Sequence, residues 1–256
     1  MTSSGATFST LTVELSGGIG RLTLNQPDQL NPLGSDALTE IAKAARWFDD
    51  EGARVVVITS AGDRAFSAGF DLRELTRGSD EAPDVDLGYL MVDAVEAMDA
   101  ITIAAIHGHC VGGGILLAVG CDLRIAADNT RFAIPEIDLG IPLAWGGIPR
   151  LVREVGAAAT RELVMTCRPF DAIEAQRLGM INRVVPLDRL RAETDELAAS
   201  LAAKPVSLLR MTKRQVHEAA EDLLTTRSGW AASAHLAVAL ADPEARGAAA
   251  GYLASR

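Results

Sequence analysis

The stretch Ile101-Thr-Ile-Ala-Ala-Ile-His-Gly-His-Cys-Val-Gly-Gly-Gly114 decides how the fold is read. Its first six residues form a short, continuous apolar run, the pattern of a strand covered on both faces. Three glycines follow, and then a helix to Gly120. A strand passing through a glycine-rich turn into a helix is the local grammar of an α/β chain. Where a strand end feeds a helix start, the first backbone N–H groups have no intrahelical partner and face whatever lies before them. Glycine at such a point lets a ligand approach the main chain closely.

A second stretch repeats this grammar. Arg54-Val-Val-Val-Ile-Thr59 is another β-branched run, and the loop Ala61 to Phe70 after it carries Ala65-Phe-Ser-Ala-Gly-Phe-Asp-Leu72. Two such loops, converging, make an oxyanion hole from main-chain donors. The glycine triplet alone reads equally well as close helix–strand packing.

Outward from these loops the chain is mixed. Leu11 to Leu15 and Ile19 to Leu24, joined by Gly17-Gly18, form a hairpin signal. After the loop Asn25 to Pro32, Ser35 or Asp36 is expected to cap a helix with Leu38, Ile41, Ala42, Ala45 and Phe48 on one face. Arg77 to Asp84 reads as a surface loop, Asp86 to Asp99 as a helix, and Leu123–Ala126 and Arg131–Ile134 as strands. From Gly146 the pattern turns helical: Gly147–Val155, Ala157–Cys167, Asp171–Gly179, Leu187–Ala203, Val206–Ala219, a long helix to about Leu240, and Pro243–Leu253. Only Arg183 to Val185 interrupts as a strand. The fold class is α/β, with a core over residues 1–200 and a helical region over 201–256.

Composition narrows the function. The 256 residues are 48% apolar and 23% charged, enough for one core without disulfides or metals. With 24 Lys+Arg against 34 Asp+Glu, the net charge of −10 and the lack of a basic patch argue against nucleic acid or an anionic membrane as partner. The densest cationic stretch, Arg210 to Arg214, reads as the solvated face of a helix. Three cysteines without a CxxC spacing exclude a disulfide scaffold and argue against zinc; Cys110 and Cys121 read as small buried hydrophobes. No secretory signal opens the chain and no apolar run is long enough for a bilayer, so a cytoplasmic protein is expected.

Taken together, A-F-S-A-G-F-D-L, I-H-G-H-C-V-G-G-G-I-L-L-A-x-x-C-D-L-R-I-A and F-A-I-P-E-I-D-L-G-I-P-x-x-W-G-G-I-P-R-L resemble the crotonase, or enoyl-CoA hydratase/isomerase, superfamily. L-N-Q-P-D-Q-L-N-P and R-L-G-M-I-N-R-V-V-P fit as well, and the resemblance runs from about residue 10 to 255. It implies a spiral of ββα units with a helical C-terminal part that trimerises or forms a dimer of trimers. It also implies an acyl-CoA substrate, with coenzyme A entering as part of that substrate and no other cofactor or metal. The N–H groups of Phe70 and Gly113 would form the oxyanion hole. Gln29, Leu30, Ala68, Asp71, Leu72 and Arg73 would touch the CoA moiety. Gly112 would start the helix at the carbonyl, and Leu116 and Trp145 are taken as substrate-binding. The stretch Ile141 to Gly147 departs from the family pattern, with its proline one place early and Trp145 bulky, so the acyl end of the pocket is expected to be reshaped or shortened.

The carboxylates separate the reactions. Family hydratases carry one Glu after the glycine triplet and another in the P-E motif. Here the second is Glu136, and the first position is Leu116. A leucine neither holds a water nor moves a proton, so ordinary hydration is in question. One acid suffices for a 1,3-proton shift, as in the family's 3,2-enoyl-CoA isomerases. A leucine there also makes the pocket less polar, which is expected to raise the pKa of Glu136. A non-catalytic acyl-CoA binding protein is the reading from another class.

Asp138 is a second candidate acid: in extended chain it would share a face with Glu136. The opposing reading is that it bonds nearby backbone. His107 and His109 read as structural. Ser67 faintly resembles a nucleophile elbow but lacks the first glycine and a placed His-Asp pair. His217 and His235 read as surface or interface residues, Trp47 and Trp230 as packing. Lys213 is weighed between a CoA phosphate and a solvated face, with the second preferred.

Overall fold

The β-branched run Val55-Val-Val-Ile58 divides its side chains between two cores. Val56 and Ile58 join Leu38, Ile41 and Phe48 in one apolar cluster, while Val55 and Val57 join Leu190 and Ala198 in another. Ile101 to Ile106 divides in the same way, with Ala104 and Ile106 on the first side and Ile101, Ile103 and Ala105 on the second. Successive side chains of a strand point to opposite faces, so a strand covered on both faces must be apolar throughout. The computed structural model describes residues 7–76, 86–226, 235, 238, 239 and 241–254.

Strands β1 (Leu11–Ser16) and β2 (Ile19–Leu24) form the expected antiparallel hairpin. They are followed by β3 (Val55–Ser60), β4 (Ala65–Ser67), β5 (Ile101–Ile106), β6 (His109–Val111), β7 (Leu123–Ala127) and β8 (Arg131–Ala133). The last two are β9 (Phe170–Asp171) and β10 (Arg183–Val185). A six-stranded sheet has the order β1-β2-β3-β5-β7-β10, and a four-stranded sheet the order β4-β6-β8-β9. Each of three passes places one strand in each sheet: β3 then β4, β5 then β6, β7 then β8. The helices α1 (Ser35–Asp50), α2 (Leu72–Thr76), α3 (Asp86–Glu96), α4 (Gly113–Val119) and α5 (Gly147–Thr166) carry the chain between or after these passes. This is the spiral of ββα units that the resemblance implies. The passes differ in length, so no fixed period shows in the sequence.

The C-terminal part holds α6 (Ala172–Arg177), α7 (Leu190–Ala202), α8 (Val206–Leu223) and a last helix, Pro243–Ala254. Gly156, at φ 77° and ψ 163°, breaks α5 into the two helices that the sequence predicts. The face expected for α1 is buried at all five positions. The loop expected at Arg77 to Asp84, most of the helix expected to reach Leu240, and Trp230 lie outside the described residues. Among the described residues no helix is long and apolar enough to cross a membrane.

Two expectations are corrected. Ser35 and Asp36 do not cap α1; the N-cap is Gly34, and the Glu74 carboxylate accepts hydrogen bonds from Ser35 N (3.0 Å) and Ser35 Oγ (2.7 Å). A carboxylate from a distant helix replaces the local cap. Lys213 does not lie on a solvated face. Its ammonium is pinned 2.9 Å from Asp122 and donates to the Ala100 carbonyl at 3.0 Å, because α8 packs across the end of β5. No periodicity reveals a partner so far away in the chain. His217 and His235 are exposed, as expected.

Candidate active site

Strands β4, β6 and β8 run parallel in the four-stranded sheet. Their C-terminal ends share one edge, the usual place for ligand sites in parallel sheets. The chain leaving Ser67, Val111 and Ala133 therefore delivers Ala68–Asp71, Gly112–Gly114 and Pro135–Glu136 side by side.

The first two loops touch through their glycines. A β-carbon on Gly69 (φ 85°) would lie 2.6 Å from the Val111 carbonyl oxygen and 3.4 Å from Gly113 N. Phe70 thus sits one residue from a direct main-chain contact with the start of α4. Ser67 braces this arrangement: its Oγ donates to the Asn31 carbonyl at 2.8 Å and accepts from Gly69 N at 3.1 Å. Asn31, buried in turn, donates to the Ala61 and Ala65 carbonyls at 3.0 and 2.9 Å. Ser67 is a fully buried loop brace, which leaves it no geometry for nucleophilic attack.

The third loop sets the acid on the second. Gly112 has φ 49° and ψ −115°, a conformation reserved for glycine, and its N–H donates to the Ala133 carbonyl at 2.9 Å. A β-carbon there would overlap Glu136 Oε1. The carboxylate therefore rests on the Gly112 backbone at the start of α4. It is 9% exposed, and Oε2 has no hydrogen-bond partner among the described residues. Burial pushes its pKa up to about 7, opposed only by its own backbone N–H. A buried carboxyl with one unsatisfied oxygen and a near-neutral pKa is poised to take and return a proton.

A cleft of about 430 Å³ opens over this constellation. Of the residues singled out in the sequence, Leu30, Ala68, Phe70, Leu72, Gly112 and Glu136 line it. Gln29, Asp71, Arg73, Gly113, Leu116 and Trp145 do not. Gln29 is exposed on the turn Pro27–Gln29, and Asp71 and Arg73 pair with each other at 2.6 Å. Leu116 is buried on α4, where a β-carbon on Gly147 would lie 2.9 Å from its Cδ2. Among the described residues no carboxylate other than Glu136 lines the cleft.

The premise that would pair Asp138 with Glu136 fails. Leu139 N donates to the Pro135 carbonyl and Ile141 N to the Glu136 carbonyl, so this segment is coiled into turns rather than extended. Residues two apart in a helical turn do not share a face. Asp138 is exposed and does not line the cleft.

Trp145, at φ 56°, is buried with its ring edge-on to Phe70 at 6.1 Å between centroids. His107 is buried, its Nε2 3.0 Å from the Gly62 carbonyl, and burial holds its pKa below the ordinary imidazole value. His109, read from the sequence as structural, lines the cleft, and so do Arg131, Leu139, Ile141 and Tyr252, none of which the sequence singles out. Leu139 and Ile141 stand in the quoted P-E motif without being singled out. Tyr252 arrives on the last helix, and nothing in its local sequence points to the cleft. Among the described residues no three His, Cys, Asp or Glu side chains gather into a metal-binding group.

Comparison with known proteins agrees with this geometry. A family model described as enoyl-CoA hydratase/isomerase matches residues 14–248. The chain belongs to the enoyl-CoA hydratase/isomerase family. Among its curated relatives, a probable enoyl-CoA hydratase of Mycobacterium bovis is 37% identical over 86% of this chain and 85% of the relative. A crotonyl-CoA hydratase of Syntrophomonas wolfei is 37% identical over 77% of each. In structure, an enoyl-CoA hydratase from Mycobacterium avium subsp. paratuberculosis superposes with a TM-score of 0.87 at 27% identity, over 96% of this chain and 99% of that one. The enoyl-CoA hydratase/isomerase fold accounts for the two sheets and the parallel strand ends at the cleft.

Proposed function

We propose that this chain isomerises the double bond of an enoyl-CoA thioester through an oxyanion-stabilised enolate. Glu136 is the single proton carrier. In this reading Glu136 removes a proton from C2 of a 3-enoyl-CoA, and the electron pair moves onto the thioester oxygen as a dienolate. The N–H groups of Phe70 and Gly113 hold that oxygen while charge develops. Glu136 then returns the proton at C4, leaving the 2-enoyl-CoA. Atoms balance without water, and no cofactor is needed beyond the coenzyme A that the substrate carries. The observation that carries the reading is the buried Glu136 beside Gly112, alone among the described residues as a carboxylate at the cleft, with Leu116 where a second acid would stand.

Hydration is the second reading, favoured by the likeness to an enoyl-CoA hydratase and a crotonyl-CoA hydratase. One experiment separates the two. The protein is incubated with 3-enoyl-CoA and with 2-enoyl-CoA, and both double-bond shift and water addition are followed. Isomerisation is expected to dominate, and Glu136→Gln to lower its kcat by about 10²- to 10⁴-fold, the usual contribution of a general acid–base. Water addition outpacing isomerisation overturns the isomerase reading. Isomerisation unchanged in Glu136→Gln overturns the mechanism. Binding of both esters without turnover supports a binding protein instead. A cytoplasmic enzyme whose C-terminal helices join copies of the chain completes the proposal.

A further inference from the structure

Behind the proposed oxyanion pair, the Trp145 indole packs against both Phe70 and Gly113. Trp145 stands between two helices that both offer glycine to it. A β-carbon on Gly88 of α3 or on Gly113 of α4 would overlap its ring. Its third side is closed by Phe70, edge-on. Phe70 and Gly112 line the cleft, and the indole packs directly against Phe70 and Gly113, one layer behind that lining.

The ring is also held in place. Trp145 adopts a left-handed backbone conformation that non-glycine residues rarely take, as does the next residue, Gly146. The buried guanidinium of Arg150 fixes this turn, donating from Nη1 to the Trp145 carbonyl at 3.0 Å. Arg150 Nη2 is paired with Glu96 at 2.5 Å, and its guanidinium carbon lies 5.4 Å from the centre of the Tyr89 ring. A ring fixed by its backbone, by two glycine-faced helices and by a buried ion pair is a wall, not a gate.

We infer that Trp145 limits the length of the acyl chain: the site takes short acyl-CoA thioesters, and longer chains are excluded by the indole. This rests on the acyl-CoA reading above, and the test keeps the two apart. Binding of saturated acyl-CoA esters with 4, 8 and 12 carbons, chosen as probes, is measured by calorimetry on the full chain as wild type, Trp145→Phe and Trp145→Ala. Saturated esters do not react, so the readout is independent of turnover. Wild type is expected to bind the four-carbon ester best. In Trp145→Ala the preference is expected to move to the eight-carbon ester, gaining up to about fourfold for each methylene that the vacated space buries. Trp145→Phe, which keeps an aromatic ring against Gly88 and Gly113, is expected to shift less in the same direction.

A length profile unchanged in both variants overturns the inference while leaving the acyl-CoA reading intact. So does a wild type that binds the 12-carbon ester as well as the shortest. If wild type binds none of the esters, the acyl-CoA reading itself falls, and this inference with it. Should Trp145→Ala fail to fold, Trp145→Phe decides alone, because a purely structural role would change all three affinities together.

Discussion

Glu136 is paid for in stability. Its carboxyl titrates at about 7 in the fold, against an ordinary value of 4.5. Below pH 4.5 it is neutral in both the folded and unfolded states and adds no pH dependence. Between about 4.5 and 7 the unfolded chain releases the proton while the fold retains it, so the folded state binds more protons and stability falls as pH rises. Above about 7 the loss is complete, and the fold carries a buried charge with one oxygen unpartnered among the described residues. Glu136→Gln removes the titration, and its amide needs no ionisation. The variant is therefore expected to be more stable than wild type at pH 8, by on the order of 2 kcal/mol, with the difference shrinking toward pH 4.5. Thermal unfolding at both pH values checks this; a difference independent of pH defeats it. The same shift governs activity. The base must be ionised in the free enzyme, so kcat/KM for isomerisation is expected to rise with pH through about 7 and then level off. A flat profile between pH 5 and 9 would exclude Glu136 as the base.

Elements position this residue, and one of them is tethered from an unexpected direction. Glu74 of α2 accepts from Ser35 N and Oγ, so the loop carrying Phe70 is tied to the start of α1. Removing the carboxylate leaves helix-start donors without that acceptor. Glu74→Ala is expected to destabilise the chain by about 1 kcal/mol, the usual cost of a lost cap, and to weaken enoyl-CoA turnover by loosening the loop. Urea unfolding and steady-state kinetics on the same sample test both effects; a stability loss with kinetics untouched would detach the tether from the site. This element shows where the sequence stops being legible. Val55–Ile58 and Ile101–Ile106 were readable because burial on both faces demands uninterrupted apolar side chains. Gly112 and Glu136 were readable through the motifs that hold them. The Glu74–Ser35 cap and the Lys213–Asp122 pair join residues 39 and 91 positions apart, Tyr252 reaches the cleft from the last helix, and no local period encodes such meetings. The pairing of Asp138 with Glu136 misled for a related reason: alternation assumes an extended chain, and Pro135 to Ile141 coils into turns.

At the scale of the molecule, α8 is attached by its ends and edges rather than by a buried stripe. Lys213 pairs with Asp122, and Glu221 pairs with Arg153 of α5, but no residue of α8 is buried. Leu208, Met211, Val216 and Leu223 are each more than half exposed, Leu223 at 88%. A helix with several large apolar side chains in water marks an interaction surface, because a monomer seldom leaves such a patch uncovered. The resemblance that holds for the fold also implies trimers, so a second copy of this chain is the occupant we propose. The full chain at micromolar concentration is expected to scatter light as three times the monomer mass, or six times if trimers pair. Leu208→Glu with Met211→Glu places two charges on that face, and burying unpaired charge at an interface costs several kcal/mol. The doubly substituted chain is expected to fall to the monomer mass with its far-ultraviolet circular dichroism retained. A wild-type chain that scatters as a monomer at every concentration would show that a copy of the chain does not cover α8.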